Sequence, residues 1–138
     1  MKKQPRGMKL ELLELCGDGY LAVVGESQYQ DALRRTASTC TPGEEGRPSF
    51  QAVLVSEPTN PYDANAIAVL STQGRLGYLS RGDAIEYREV LAEVKRQGSD
   101  GGACIAHLNG GVPGKPSYGV TLLLAHPDKC LRELRDSA

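Results

Sequence analysis

The sequence predicts an α+β fold, mainly β: a small barrel or curled sheet of about six or seven strands with two accessory helices. Three observations predict it. Short β-branched or alternating apolar segments recur along the chain between turn clusters rich in Gly, Pro and Asn. Only two stretches, residues 29–37 and 80–97, carry apolar residues at helical spacing. The length, 138 residues, suits one domain around one core. Many short strands with few helices lead to a barrel or curled sheet.

Residues 1–7 read as a disordered basic arm, interrupted by Pro5 and Gly7. The domain is expected over 8–126, with 127–138 as a C-terminal tail or a short helix. Residues 8–15 are read as a first strand, Gly17-Asp18-Gly19 as a turn, and 20–24 as a second strand. Gly25 breaks that strand. Ser27 has the chemistry of a helix N-cap, and Tyr29, Ala32 and Leu33 have the spacing of a short helix over 29–37. Residues 39–49, with two prolines and two glycines, read as a surface loop.

Alternation places Phe50, Ala52 and Leu54 on one face of a strand over 50–55. Residues 66–70 and 75–79 form a hairpin about Gln73-Gly74. Ser80 and Asp83 have capping-box spacing at the start of the longest helix, with Ile85, Val90, Leu91 and Val94 as its core stripe and Gly98 as its stop. Strands over 102–108 and 118–125 close the domain across a Gly/Pro loop.

The balance of 16 basic and 17 acidic residues gives a net charge of −1, which argues against a protein coating duplex backbone through a broad basic face. A nucleic-acid role must therefore rest on a local site. No apolar run approaches the length of a bilayer span, and the basic start lacks the apolar stretch of a secretory signal. A cytoplasmic location with reduced thiols at Cys16, Cys40, Cys104 and Cys130 is the expectation. No membrane partner is expected.

The most informative stretch is Glu57-Pro58-Thr59-Asn60-Pro61-Tyr62-Asp63-Ala64-Asn65. Two prolines restrict the backbone and hold Asn60, Tyr62 and Asp63 on a stiff corner between strands. A tyrosine there offers a face on which a base can stack, worth about 1–3 kcal/mol. Asp63 can accept from a sugar hydroxyl or a base edge. Because a carboxylate repels phosphate, it suits a strand end with a free hydroxyl. The plain structural reading of the same residues is that Asn60 and Asp63 form Asx-turns and Tyr62 packs over a neighbouring strand.

Three blocks of the chain, taken in order, resemble the HIRAN domain. They are Val23-Val24-Gly25-Glu26-Ser27-Gln28-Tyr29-Gln30, then Glu57 through Asn65 continuing as Ala66-Ile67-Ala68-Val69, then Gly77-Tyr78-Leu79. The likeness runs from about residue 21 to 124. It implies an SH3- or OB-like barrel with accessory helices and, from the family's eukaryotic DNA-end binder, capture of the free 3′-hydroxyl end of single-stranded DNA at stalled replication forks. Carried over by position, the pocket uses Asn60, Tyr62 and Asp63, with Asp63 meeting the terminal hydroxyl and Tyr62 stacking on a base. Tyr78 falls where that protein has a histidine, and Arg81 where it has a lysine near phosphate. Ser27 and Gln28 stand in place of its arginine and tyrosine, so one cation and one stacking face are missing. Tyr29 matches a further aromatic.

Rival chemistries are weaker. Cys104 and His107, and His126 and Cys130, have spacings seen in zinc sites, but residues three apart on a strand face opposite ways and Ile105-Ala106 is no knuckle turn. No metal or other cofactor is expected. Asp63 with Glu57 or Asp83 would be a thin basis for a metal-dependent nuclease. The loop Asn109 to Lys115 lacks the ending and the helix of a phosphate-binding loop. The reading is a free-standing, non-catalytic module for single-stranded DNA or its 3′ end, working beside a helicase or nuclease partner or occupying ends itself. A peptide-binding module on the same barrel is the alternative, and a small hydrolase the third class.

Overall fold

The computed structural model describes residues 10–138, so the arm expected over residues 1–7 lies outside the described residues. The centre of the molecule is a pair of nine-residue antiparallel strands, β4 (Pro48–Ser56) and β7 (Gly101–Asn109), in register from Ser49↔His107 to Leu54↔Gly102. Phe50, Ala52 and Leu54 of β4 all point into the core, as their alternation predicts. On β7, Gly101 and Gly102 leave room for close neighbours. A Cβ on Gly102 would meet Leu15 at 2.5 Å.

The sheet builds outward from this pair. On one side lie β5 (Ile67–Ser71) and β6 (Gly74–Tyr78), a hairpin closed by Ser71↔Gly74. On the other lie β8 (Gly119–Leu122) and then β2 (Leu21–Ala22). Two further strands sit off this path. β1 (Leu12–Glu14) runs parallel to β7, and β3 (Thr41–Pro42) pairs with the start of β4. Among the described residues there are eight strands, one beyond the expected number, and three α-helices, the third in the stretch expected as a tail or a short helix. The extra strand, β3, lies inside the stretch 39–49 that reads as a loop.

The sheet curls into a half-barrel whose ends meet. Val23, just after β2, donates its N–H to Val120 of β8 at 3.2 Å. The next residue, Val24, exchanges two backbone hydrogen bonds with Tyr78 of β6, at 2.8 and 2.9 Å. Gly77 permits this approach, because a Cβ there would stand 2.6 Å from Val23 Cγ1 and from Val24 O.

Helix α1 (Gln30–Ala37) buries Ala32, Leu33 and Thr36. Its N-cap is Tyr29. Ser27, the expected cap, instead lies exposed within a single 3₁₀ turn over Glu26–Gln28 and caps nothing. Helix α2 (Arg81–Arg96) starts where expected, with Ser80 Oγ accepting from the Asp83 N–H at 3.1 Å, and Gly98 follows it at φ +88°. Its core stripe is Ala84, Tyr87, Val90, Leu91 and Val94. Ile85, expected in that stripe, is 54% exposed, because it lies one residue, and hence about 100°, around the helix from Ala84.

Residues 127–138 contain helix α3 (Pro127–Ser137), begun by a His126 cap and Pro127 in the first turn. It buries Cys130 and Leu134 in the shared core, and Gln97 at the end of α2 donates to Leu134 O at 3.0 Å. No helix among the described residues is long and apolar enough to cross a membrane.

Candidate nucleic-acid interface

Between β4 and β5 the chain turns sharply, and this turn carries the candidate residues. Its base is pinned where the Glu57 N–H meets Ala66 O at 2.9 Å. Asn60 Oδ1 accepts from the N–H groups of Tyr62 at 2.8 Å and Asp63 at 3.2 Å. Asp63 Oδ1 accepts from the Asn65 N–H at 2.9 Å. These are successive Asx-turns, and with Pro58 and Pro61 they make the corner rigid. Asn60 is committed to building it. Asp63 spends one oxygen there, and its other oxygen has no partner among the described residues.

Tyr62 does not pack over a neighbouring strand. Its side chain is 85% exposed, while its carbonyl is held by Arg81 at 3.0 Å. Ring and acid stand beside an open cleft of about 770 Å³ that runs between the turn, the end of β6 and the start of α1. Six of the eight candidates line it: Tyr29, Asn60, Tyr62, Asp63, Tyr78 and Arg81. Ser27 and Gln28 do not. They line an adjoining cleft of about 430 Å³.

The floor of the main cleft is a network that the sequence does not announce. The Tyr78 hydroxyl donates to Glu57 Oε1 at 2.8 Å, Asn60 Nδ2 donates to the same oxygen at 3.1 Å, and the Arg75 guanidinium pairs with Glu57 Oε2. Arg75 also lies 5.9 Å from the centre of the Tyr78 ring, and the Tyr29 ring lies 6.5 Å from it on a 52° tilt. Burial raises the Glu57 carboxyl, but the bonds from Asn60, Tyr78 and Arg75 and the Arg75 charge outweigh it and hold the group below the usual carboxylate range. Burial, with the bond to Glu57, pushes the Tyr78 phenol up to about 12. Glu57 therefore stays charged and Tyr78 stays neutral at ordinary pH.

Glu57 and Arg75 were not among the expected binding residues, Glu57 having been weighed only as a nuclease ligand, yet both line the cleft. They lie 18 positions apart. The one available signal was that Arg75 and Tyr78 lie on the strand that pairs with β5, the strand following the turn that begins at Glu57. Charge in the cleft is balanced, with Glu57 and Asp63 set against Arg75 and Arg81. Cys104 points into the core, while His107 is buried on the opposite face of β7, and no three His, Cys, Asp or Glu side chains converge among the described residues.

The protein is a small curled half-barrel with an aromatic-lined, charge-balanced cleft at its seam. The model of the HIRAN domain family matches residues 24–97, more than half of the chain, and this protein belongs to that family. The family is one of nucleic-acid-binding modules. A crystal structure of a protein from Lactobacillus plantarum is similar at 24% identity, with 75% of this chain and 87% of that one covered and a TM-score of 0.48. No curated protein matches the chain.

Proposed function

We propose that this chain is a non-catalytic module that grips single-stranded DNA at a free 3′ end, in the cleft beside Tyr62. The observation that carries the reading is an unpacked aromatic ring on a hydrogen-bonded corner, next to a carboxylate and an open cleft. An exposed ring on a rigid corner beside an open cleft offers a face on which a base can stack at little cost in ordering. Tyr62 stacks on a base, and the free oxygen of Asp63 accepts from the terminal hydroxyl. Arg81 keeps donors beyond the one it gives to Tyr62 O and meets the adjacent phosphate.

The balanced charge fits an end binder better than a backbone binder. Few phosphates are neutralised, so affinity depends only shallowly on salt, roughly 0.7 in log slope per phosphate on a single strand. A helicase or nuclease partner would supply any catalysis. Fluorescence anisotropy with single strands ending in a 3′-hydroxyl or a 3′-phosphate tests the reading. A phosphate a few ångströms from Asp63 meets repulsion of about 1–4 kcal/mol, so the hydroxyl strand binds tighter by at least about five-fold. Equal affinity for both ends removes Asp63 from the role, and failure to bind either strand rejects the reading.

A further inference from the structure

The adjoining cleft shares two walls, Tyr29 and Arg75, with the main one, so the two lie side by side. Asp63 and Arg81 line only the main cleft, and Gln28 and Arg35 line only the adjoining one. The adjoining cleft is polar and cationic. Asp31 is paired with Arg34, and Arg75 with Glu57. Arg35 has no carboxylate partner among the described residues, and its one hydrogen bond goes to the Gln73 carbonyl at 3.2 Å. The Ser27 hydroxyl and Gln28 amide are exposed on the 3₁₀ turn and make no side-chain hydrogen bond among the described residues. A groove with stacking rings at its centre and an uncompensated guanidinium beyond them has the makeup of a single-strand track.

We propose that the adjoining cleft is a second subsite, taking the nucleotides that precede the 3′ end, with Arg35 on a phosphate and Gln28 on a base edge. The inference rests on the reading of the main cleft given above. It fixes the direction of the strand: the 3′ end lies at Asp63, and the 5′ portion passes Tyr29 and leaves by Arg35. Ser27 and Gln28 bring no positive charge to their turn, and Arg35 of helix α1 supplies it about two helical turns further on.

Anisotropy with oligothymidylates of two, four, six and eight nucleotides, all with free 3′-hydroxyls, tests this on the whole chain. For the native protein, affinity climbs about ten-fold as the strand grows beyond the main cleft, then levels. Arg35→Gln keeps the affinity for the shortest strand, loses most of the length-dependent gain and lowers the salt slope by about 0.7. Arg35→Lys restores much of both. Because Arg35 also ties α1 to the β5–β6 turn, Gln28→Glu serves as a second variant. It breaks no bond described here, and its negative charge abolishes the same gain. Affinity that is flat with length, or a loss in Arg35→Gln that is equal at every length, overturns the inference and leaves the main cleft standing. Absence of binding at all lengths overturns the main-cleft reading and this one with it.

Discussion

The Tyr78 hydroxyl donates to Glu57 Oε1 at 2.8 Å, joining the last residue of β6 to the first residue of the turn that carries Tyr62. The same oxygen receives Asn60, whose own carbonyl oxygen holds the N–H groups of Tyr62 and Asp63. The position of the exposed ring is thus set, through three side chains, by the edge of the sheet.

Tyr62→Ala should weaken single-strand binding by about 1–3 kcal/mol, roughly 5- to 150-fold, since that is the stacking contribution of one base. Thermal stability should be nearly unchanged, because the ring covers nothing. Tyr62→Phe should bind almost as tightly as the native protein. Anisotropy paired with a melting curve separates the two effects.

The Tyr78 phenol should titrate near 12, well after an exposed tyrosine, in an alkaline scan of tyrosinate absorbance or by NMR. A raised phenol favours the fold below pH 10, and that contribution disappears as pH climbs from 10 through 12. Glu57→Gln removes the carboxylate from the phenol and should bring its titration back toward 10.

Glu57 carries the opposite sign. Its carboxyl is held low in the fold, so its stabilising effect is present above the ordinary carboxylate range and lost as acid takes the pH down through the lowered value. Binding of a short strand should fall over that same acid window. Glu57→Gln should bind less tightly at neutral pH and lose the acid dependence arising from this site.

Helix α3 belongs to the core, so Leu134→Ala should destabilise the protein by about 2–5 kcal/mol in a denaturant melt. Tyr87→Phe should cost about 1–3 kcal/mol, because it leaves the buried Ala125 carbonyl, which the Tyr87 hydroxyl meets at 2.6 Å, with only the weak Cys130 thiol donor at 3.4 Å. Neither change touches the cleft, and at temperatures where both variants are folded their strand affinity should match that of the native protein.

What could be read from the sequence was local. The corner at Asn60, Tyr62 and Asp63 is legible because prolines and Asx side chains act on their immediate neighbours, and both of the competing descriptions of it held in part. Asn60 and Asp63 make the turns, and Tyr62 remains free. The face of β4 followed from alternation alone. Ile85 was misplaced because a single step around a helix exchanges core for solvent, and Tyr87 two positions on has a polar tip that disguises a core residue. β3 is two residues long and exists only because Thr41 finds Ser49, which no local pattern encodes. The pairing of Glu57 with Arg75 likewise depends on the hairpin folding back beside the turn. The 3₁₀ turn that moves the helix cap from Ser27 to Tyr29 also carries Ser27 and Gln28 out of the main cleft.

The join at Val24 and Tyr78 is a clasp one residue wide, whereas β4 and β7 are held along most of their length. Breathing of the ring should therefore concentrate at the clasp, where two bonds rather than a long ladder resist opening. Val24 and Tyr78 also wall the main cleft. An occupant touching both would lock the bracelet shut, so its affinity for the closed ring would appear as extra resistance of the whole domain to unfolding.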